Sequence, residues 1–471
     1  MRSDIEDNAL SDSLIERSDA AIPIVAVYAD ALEACLADLS DVEANWARAT
    51  GFDAAMGAVT TIADPNGRIG RVLFGLGGRD SWRRSPLVLG KLSTVLPEGD
   101  YEFITGLPDP ALGALGWALG QYSFSRYKAS RQLAPRLVVP RGVAIGPARS
   151  IARAVTLVRD LVNMPANDLG PAELSLQIHT LAGRHGAEIT EFVGPALRDA
   201  NFPLIHAVGR AAAEERQPRL VDLVWGNADH PKVTLVGKGV TFDTGGLDIK
   251  PSSNMLLMKK DMGGAANAIA LAQMIMEAEL PLRLRLIVPA VENAISGPAF
   301  RPGDVLRSRA GLTVEIGNTD AEGRLILADA LTLAAEEEPD LLIDLATLTG
   351  AARVALGPDI PPYYTHDEAL AADLARHSAL VLDPLWRLPL WAPYEAMIDS
   401  RVADINNAGQ GGFAGSITAA LFLDRFVPKS ISWLHADIYA WNSSTRPGRP
   451  EGGEAQAIRA LFSLISERFG G

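Results

Sequence analysis

From about residue 165 onward, short apolar runs alternate with longer helical stretches. This alternation limits the chain to few architectures. Val233–Phe242 is rich in β-branched residues and reads as a strand. Leu282–Val291, Asp340–Ala346 and Ile431–Ala440 read as further buried strands. Asp261–Ala278, with Gly and Ala in its first turns, and Leu325–Glu337 read as helices. Strands separated by helices predict an α/β fold with a mixed, largely parallel sheet covered by helices.

The 471 residues suffice for two or three domains with ample cores. Residues 1–20 are polar and acidic, and are expected to be a mobile N-terminus. Residues 21–135 read as a small N-terminal α/β domain. Pro23–Tyr28 and Gly70–Gly75 are its clearest strands, and Ala111–Lys128 its clearest helix. Residues 136–165 read as a linker and a connecting helix that stops at Met164-Pro165, because proline cannot continue it. The larger domain takes residues 166–471. No internal repeat or low-complexity segment interrupts the pattern.

Composition excludes some functions. Fifty-seven acidic against 43 basic residues give a net charge of −14 and a pI near 5.1. Such a balance argues against a general nucleic-acid binder and against adsorption to anionic membranes. The arginines and lysines between residues 126 and 153 read as a solvated linker. The single cysteine, Cys35, permits no intrachain disulfide and points to a reducing compartment. The acidic start is unlike a signal peptide, and no apolar run reaches the roughly 20 residues of a membrane span. The expected localisation is cytoplasmic.

None of the seven histidines falls in His-Glu-x-x-His or at zinc-ligand spacing beside cysteine. His435, in an apolar strand, reads as a structural histidine. There is no Gly-x-Ser-x-Gly elbow and no P-loop. A metal site would therefore rest mainly on oxygen ligands.

Two stretches offer them. The first is Gly237–Pro251, followed by Met258–Gly264. Lys238 sits between glycines at a strand end, Gly245-Gly246 makes a turn after Asp243, and strand ends of α/β sheets are where ligands bind. The plainer reading is a hairpin with surface lysines. The second stretch is Asn318–Leu325. Asp320 and Glu322 stand two apart, so in extended backbone both carboxylates face one centre. The plainer reading is an acidic turn capping the following helix. Lys238, Asp243, Asp261, Asp320 and Glu322 can make a cage for two divalent metals, leaving Lys250 and Arg324 as cations beside it.

Read together, the segments resemble the leucyl aminopeptidase family of metallopeptidases. The resemblance extends to Asp160–Asn167 and Asp344–Ala351, and the intervals between the seven residues are the family's. It covers the C-terminal two-thirds well; the N-terminal domain matches in size and position. It implies a metallo-exopeptidase that removes the N-terminal residue of peptides, with two divalent ions, Mn²⁺ or Zn²⁺, per subunit. Asp243 and Glu322 would bridge them, Asp320 would add a ligand to one, and Lys238 and Asp261 would complete the other. Lys250 would polarise the scissile carbonyl and stabilise the gem-diolate, and Arg324 would hold a bicarbonate as general base. A homohexamer is also implied.

The pocket for the first side chain is implied at Met258, Thr347, Gly350, Tyr439 and Asn442. Here Tyr439 and Asn442 stand where relatives have a small and an apolar residue. Pointing inward, they would make a shorter, more polar pocket; with Tyr439 packed in the core, the pocket stays leucine-sized. Two other readings compete. One is a DNA-binding architectural role, which the net charge opposes. The other is an inactive relative, which would require a lost ligand, and all seven residues are present.

Overall fold

The computed structural model of the chain describes residues 13–81, 85, 87–129 and 135–470. The chain divides into two compact units. One runs to Thr156 and takes in Asn442–Glu451; the other comprises Leu157–Trp441 and Gly452–Gly471. The division falls inside the helix Ile145–Asn163, downstream of the Pro- and Gly-rich stretch that composition suggests as a linker.

The first unit carries a six-stranded sheet ordered Leu14–Ile15, Pro135–Val138, Gly99–Phe103, Ile22–Tyr28, Ile69–Gly77, Val59–Ala63. All neighbours are parallel except the last pair. Helix Asp41–Ala49 closes one side. Ser40 and Glu43 form a reciprocal cap at its start, and its Ala44 and Ala47 pack with Val27, Leu36 and Leu73.

Two expectations change here. The first twelve residues of the tail expected to be mobile lie outside the described residues. Beyond them the tail is ordered: Leu14–Ile15 pairs with Leu137 and Val138, and Leu14 is fully buried. Apolar side chains and unpaired edge amides together make that docking favourable. Pro135–Val138, expected to border the linker, is thereby an inner strand. Arg136 of the basic stretch pairs with Asp100 at 2.7 Å.

The second unit is built on a nine-stranded sheet. Its central strands, Trp433–Asp437, Leu341–Ala346, Lys232–Gly237 and Arg283–Asn293, are mutually parallel. Antiparallel neighbours flank them: Pro362–Tyr364 on one side, and Arg219–Trp225 followed by Glu188–Val193 on the other. The central strands are buried on both faces, which explains why their sequences are apolar without alternation. Helix Glu322–Ala335 packs on one face, where Leu325, Ile326 and Leu331 join Val236, Ile287 and Leu342 in one core. Helix Gly263–Glu277 lies on the other, very close: a Cβ on Gly264 would stand 2.1 Å from the Leu345 carbonyl oxygen, and one on Gly237 would stand 2.6 Å from Ala265 Cα. This is the α/β, two-part architecture with a mixed, largely parallel sheet. Among the described residues no helix is long and apolar enough to cross a membrane.

Candidate metal centre

The run Val233–Phe242, expected as one strand, is two. Strand Lys232–Gly237 ends, Lys238 donates its N–H to the Leu345 carbonyl (3.0 Å) and accepts from Ala265 (2.8 Å), and strand Gly239–Asp243 continues beside Arg283–Asn293. The interruption falls at the residue between the two glycines. Its buried Nζ lies 2.7 Å from Asp261 Oδ2, 3.0 Å from Glu322 Oε1 and 3.0 Å from the Thr347 carbonyl oxygen.

Five residues on, Asp243 closes its strand. Gly245 and Gly246 follow with φ of 87° and 65°, a left-handed pair that suits glycine and turns the chain back. The Gly245 N–H donates to Asp243 Oδ1 at 2.9 Å, and Asn293 Nδ2 donates to the same oxygen at 2.8 Å. Lys250 Nζ reaches Asp243 Oδ2 at 2.7 Å and also pairs with Asp320.

Asp320 and Glu322 converge by a different route from the extended backbone expected. Asp320 sits in a turn, its N–H held by Asn318 Oδ1 at 2.7 Å, and Glu322 is the first residue of helix Glu322–Ala335. A turn running into a helix aims both carboxylates at one point as well as an extended pair would. A helix N-terminus also favours the negative charge of Glu322. Asp243, Asp320 and Glu322 each bring one oxygen within 4.8 Å of the other two. Asp261 is tied to this group through Lys238, and its Oδ1 accepts from Thr347 Oγ1 at 2.8 Å.

The electrostatics follow from burial. Burial and the facing Asp243 carboxylate raise Glu322 to about 8 and Asp320 to about 6. Burial works against charge on Lys238 and Lys250 too, but the surrounding carboxylates outweigh it and hold both amines more firmly protonated than usual. Beyond the ion pair of Oε1 with Lys238, neither oxygen of Glu322 receives a hydrogen bond among the described residues. A buried carboxylate met by a single ammonium, clustered with two more carboxylates, is a donor set that a hard divalent cation fits. Arg324 is buried, which lowers it to about 10 against the pull of Glu322 and Asp437. One Nη donates to the Asn407 carbonyl at 2.6 Å, while Nε has no partner among the described residues.

These groups line a cavity of about 670 Å³ that also takes in Met258, Thr347, Gly350 and Tyr439. Tyr439 thus faces the cavity, the first of the two orientations open in the sequence. Asn442 does not line it. It belongs to the first unit, where its Nδ2 donates to the Pro450 carbonyl at 3.1 Å and its Oδ1 accepts from Arg446 at 3.2 Å. Those two partners lie in its own loop. His435 meets Asp344 at 2.6 Å through Nδ1, but its buried Nε2 has no partner among the described residues, so the structural histidine is only half satisfied there.

Sequence reasoning missed Asn293, Asn407 and Lys260. Asn293 ends a central strand, a position that could have marked it. Asn407 braces the second stretch, accepting from Gly317 (2.8 Å) and donating to the Asn318 carbonyl (2.8 Å), from a loop with no signal of its own.

Residues 156–462 match the model described as cytosol aminopeptidase family, catalytic domain, and residues 22–140 match that described as M17 aminopeptidase, N-terminal domain. Fold and matches define the class: a hydrolase, an aminopeptidase acting as an exopeptidase. A probable cytosol aminopeptidase of Roseiflexus castenholzii is 39% identical over 429 residues, covering 84% of this chain and 86% of its own. The crystal structure of a cytosol aminopeptidase from Coxiella burnetii superposes with a TM-score of 0.93 at 45% identity, covering 97% of this chain and all of that one. The bottromycin maturation enzyme BotP in complex with Mn does so with a TM-score of 0.86 at 34% identity, covering 95% and 99%. The chain belongs to the cytosol aminopeptidase family, as an enzyme of the leucyl aminopeptidase type.

Proposed function

We propose that the chain removes the N-terminal residue from peptides at a centre for two divalent cations, Mn²⁺ or Zn²⁺. The observation that carries this reading is Glu322, buried and facing Asp243 and Asp320, with Lys238 Nζ at 3.0 Å from Oε1 and no hydrogen bond to Oε2 among the described residues. Asp243 and Glu322 would be shared by both ions. Asp320 would complete one, and Lys238 with Asp261 the other. Bound there, the ions supply a water nucleophile and neutralise charge on the substrate carbonyl oxygen. The Mn in the BotP structure supports manganese.

The chain's own groups do the rest. To act as a ligand, Lys238 must release the proton that its carboxylate neighbours now stabilise. Cations on Asp243 and Asp320 would free Lys250 Nζ from both carboxylates, leaving its donors for the scissile carbonyl oxygen, where charge develops in the transition state. Arg324 would hold a bicarbonate as general base; its unpartnered buried Nε supports an anion at this place. Thr347 fixes the rotamer of Asp261 while forming, with Met258, Gly350 and Tyr439, the wall for the first side chain. The family resemblance supports a homohexamer working on short peptides in the cytoplasm.

The test is a panel of aminoacyl chromogenic substrates assayed after metal removal and after adding back Mn²⁺, Zn²⁺ or Co²⁺. Hydrolysis is expected to vanish with chelation and return with metal. Full activity in chelator would refute the reading.

A further inference from the structure

Lysines seldom lie buried without a partner. Lys238 and Lys250 meet carboxylates, and Lys259 donates to the Asn163 carbonyl at 2.7 Å. Lys260 differs. Its residue is only 6% exposed, yet among the described residues no oxygen accepts a hydrogen bond from its Nζ and no carboxylate lies at ion-pair distance. What it touches is the Tyr439 ring, whose centroid lies 4.8 Å away. That ring is flanked also by Arg353, at 5.4 Å, but Arg353 is spent on Asp437, 3.0 Å away. Asp261, next in the chain, is likewise spent on Lys238 and Thr347.

Lys260 lines the cavity. It shares the short 3₁₀ helix Met258–Met262 with Met258, and its ring partner is Tyr439. Met258 and Tyr439 form the wall assigned above to the substrate's first side chain, and the present argument rests on that assignment. An ammonium offers three donors, and here all remain for something in the cavity. A buried cation is strongly served by a hydrogen-bonded anion and strongly opposed by a second cation.

We infer that Lys260 is a specificity residue that selects peptides beginning with an acidic residue, glutamate above all, and rejects those beginning with lysine or arginine. The substrate carboxylate would accept from Lys260 Nζ, while the aliphatic part of its side chain lies against Met258 and Tyr439. A purely structural lysine, bracing the Tyr439 ring from one side, would leave selectivity untouched, and this separates the two roles.

The experiment uses the full-length enzyme with Mn²⁺ and measures kcat/KM for glutamyl, leucyl and lysyl p-nitroanilides. Wild type is compared with Lys260→Met, Lys260→Arg and Lys260→Glu. Each enzyme's selectivity is a ratio between substrates, so partial misfolding cancels. The glutamyl-to-leucyl ratio should fall ~10-fold or more in Lys260→Met and persist in Lys260→Arg, because a hydrogen bond to a charged group is lost in the first only. Lys260→Glu should shift preference toward the lysyl substrate. Ratios that agree within about twofold across wild type, Lys260→Met and Lys260→Glu would overturn the inference while leaving the aminopeptidase reading intact. A wild type that hydrolyses none of the three would overturn both.

Discussion

Gly323, second residue of helix Glu322–Ala335, sets two effects of known sign against each other. On propensity alone, Gly323→Ala should stabilise the helix by up to ~1 kcal/mol. The site opposes this. A Cβ there would stand 2.3 Å from Lys238 Cε, 2.7 Å from its Nζ and 2.9 Å from its Cδ. Ordinary contact requires the lysine tip to retreat by roughly 1 Å. It has nowhere equivalent to go, because Asp261, Glu322 and the Thr347 carbonyl hold Nζ from 2.7 to 3.0 Å. Breaking a buried ion pair costs about 3–5 kcal/mol, so the balance is a net loss of roughly 2–4 kcal/mol despite the better helix former. A displacement of this size near reacting groups lowers turnover by ~10²-fold. Three measurements apply: metal content by mass spectrometry of the purified protein, kcat on leucyl p-nitroanilide, and thermal melting. The expected variant melts lower, retains less metal and turns over ~10²-fold more slowly. A Gly323→Ala protein that melts higher than wild type, with full metal content and unchanged kcat, would refute the claim that this close approach positions Lys238.

Further outcomes follow from the same geometry. Glu322→Gln should weaken the binding of both ions, seen as lost activity and metal content, and full activity of the variant in chelator would contradict a shared carboxylate. Lys250→Ala should lower kcat by roughly 10²–10³ with metal retained, whereas a wild-type kcat would exclude a role on the developing charge. Arg324→Ala should be milder and partly rescued by bicarbonate in the assay buffer; a deficit insensitive to bicarbonate would argue against a held anion. Tyr439→Ala should enlarge the pocket and raise activity on leucyl relative to alanyl substrates by an amount worth ~1–3 kcal/mol, so an unchanged ratio would place the ring outside the substrate's reach.

The sheet was legible in the sequence because its central strands are buried on both faces and separated by helices, a pattern that leaves few arrangements. The residues brought together at the strand ends were legible for a related reason: Lys238 between glycines, Asp243 before Gly245-Gly246, and Asp320 and Glu322 two apart carry chemistry where an ordinary strand or turn needs none. What escaped depends on contacts between distant segments. Asn407 approaches Asn318 across 89 positions and bears no local mark. Asn442 looks like a pocket residue in linear order, yet its neighbours 443–451 carry it back to the first unit. The break at Lys238 follows from hydrogen bonds to Leu345 and Ala265, which no window of sequence contains. Lys260 was hidden by its neighbours, since one lysine among Lys259, Lys260 and Asp261 reads as solvated surface until its burial is known.

Leu14–Ile15 is only two residues long, but it guards a vulnerable border. Its pairing with Leu137 and Val138 covers the edge of Pro135–Val138, and Arg149 secures it by donating to the Leu14 carbonyl at 2.7 Å. An acidic leader invites removal when a protein is trimmed for expression or crystallisation. A cut before Ser13 keeps the Leu14–Ile15 pairing. A cut beyond Ile15 strips it and presents a bare β-edge, which recruits the same edge of another copy by strand addition. Shortened preparations would then form spurious dimers or aggregates that report on the trimming and not on native assembly.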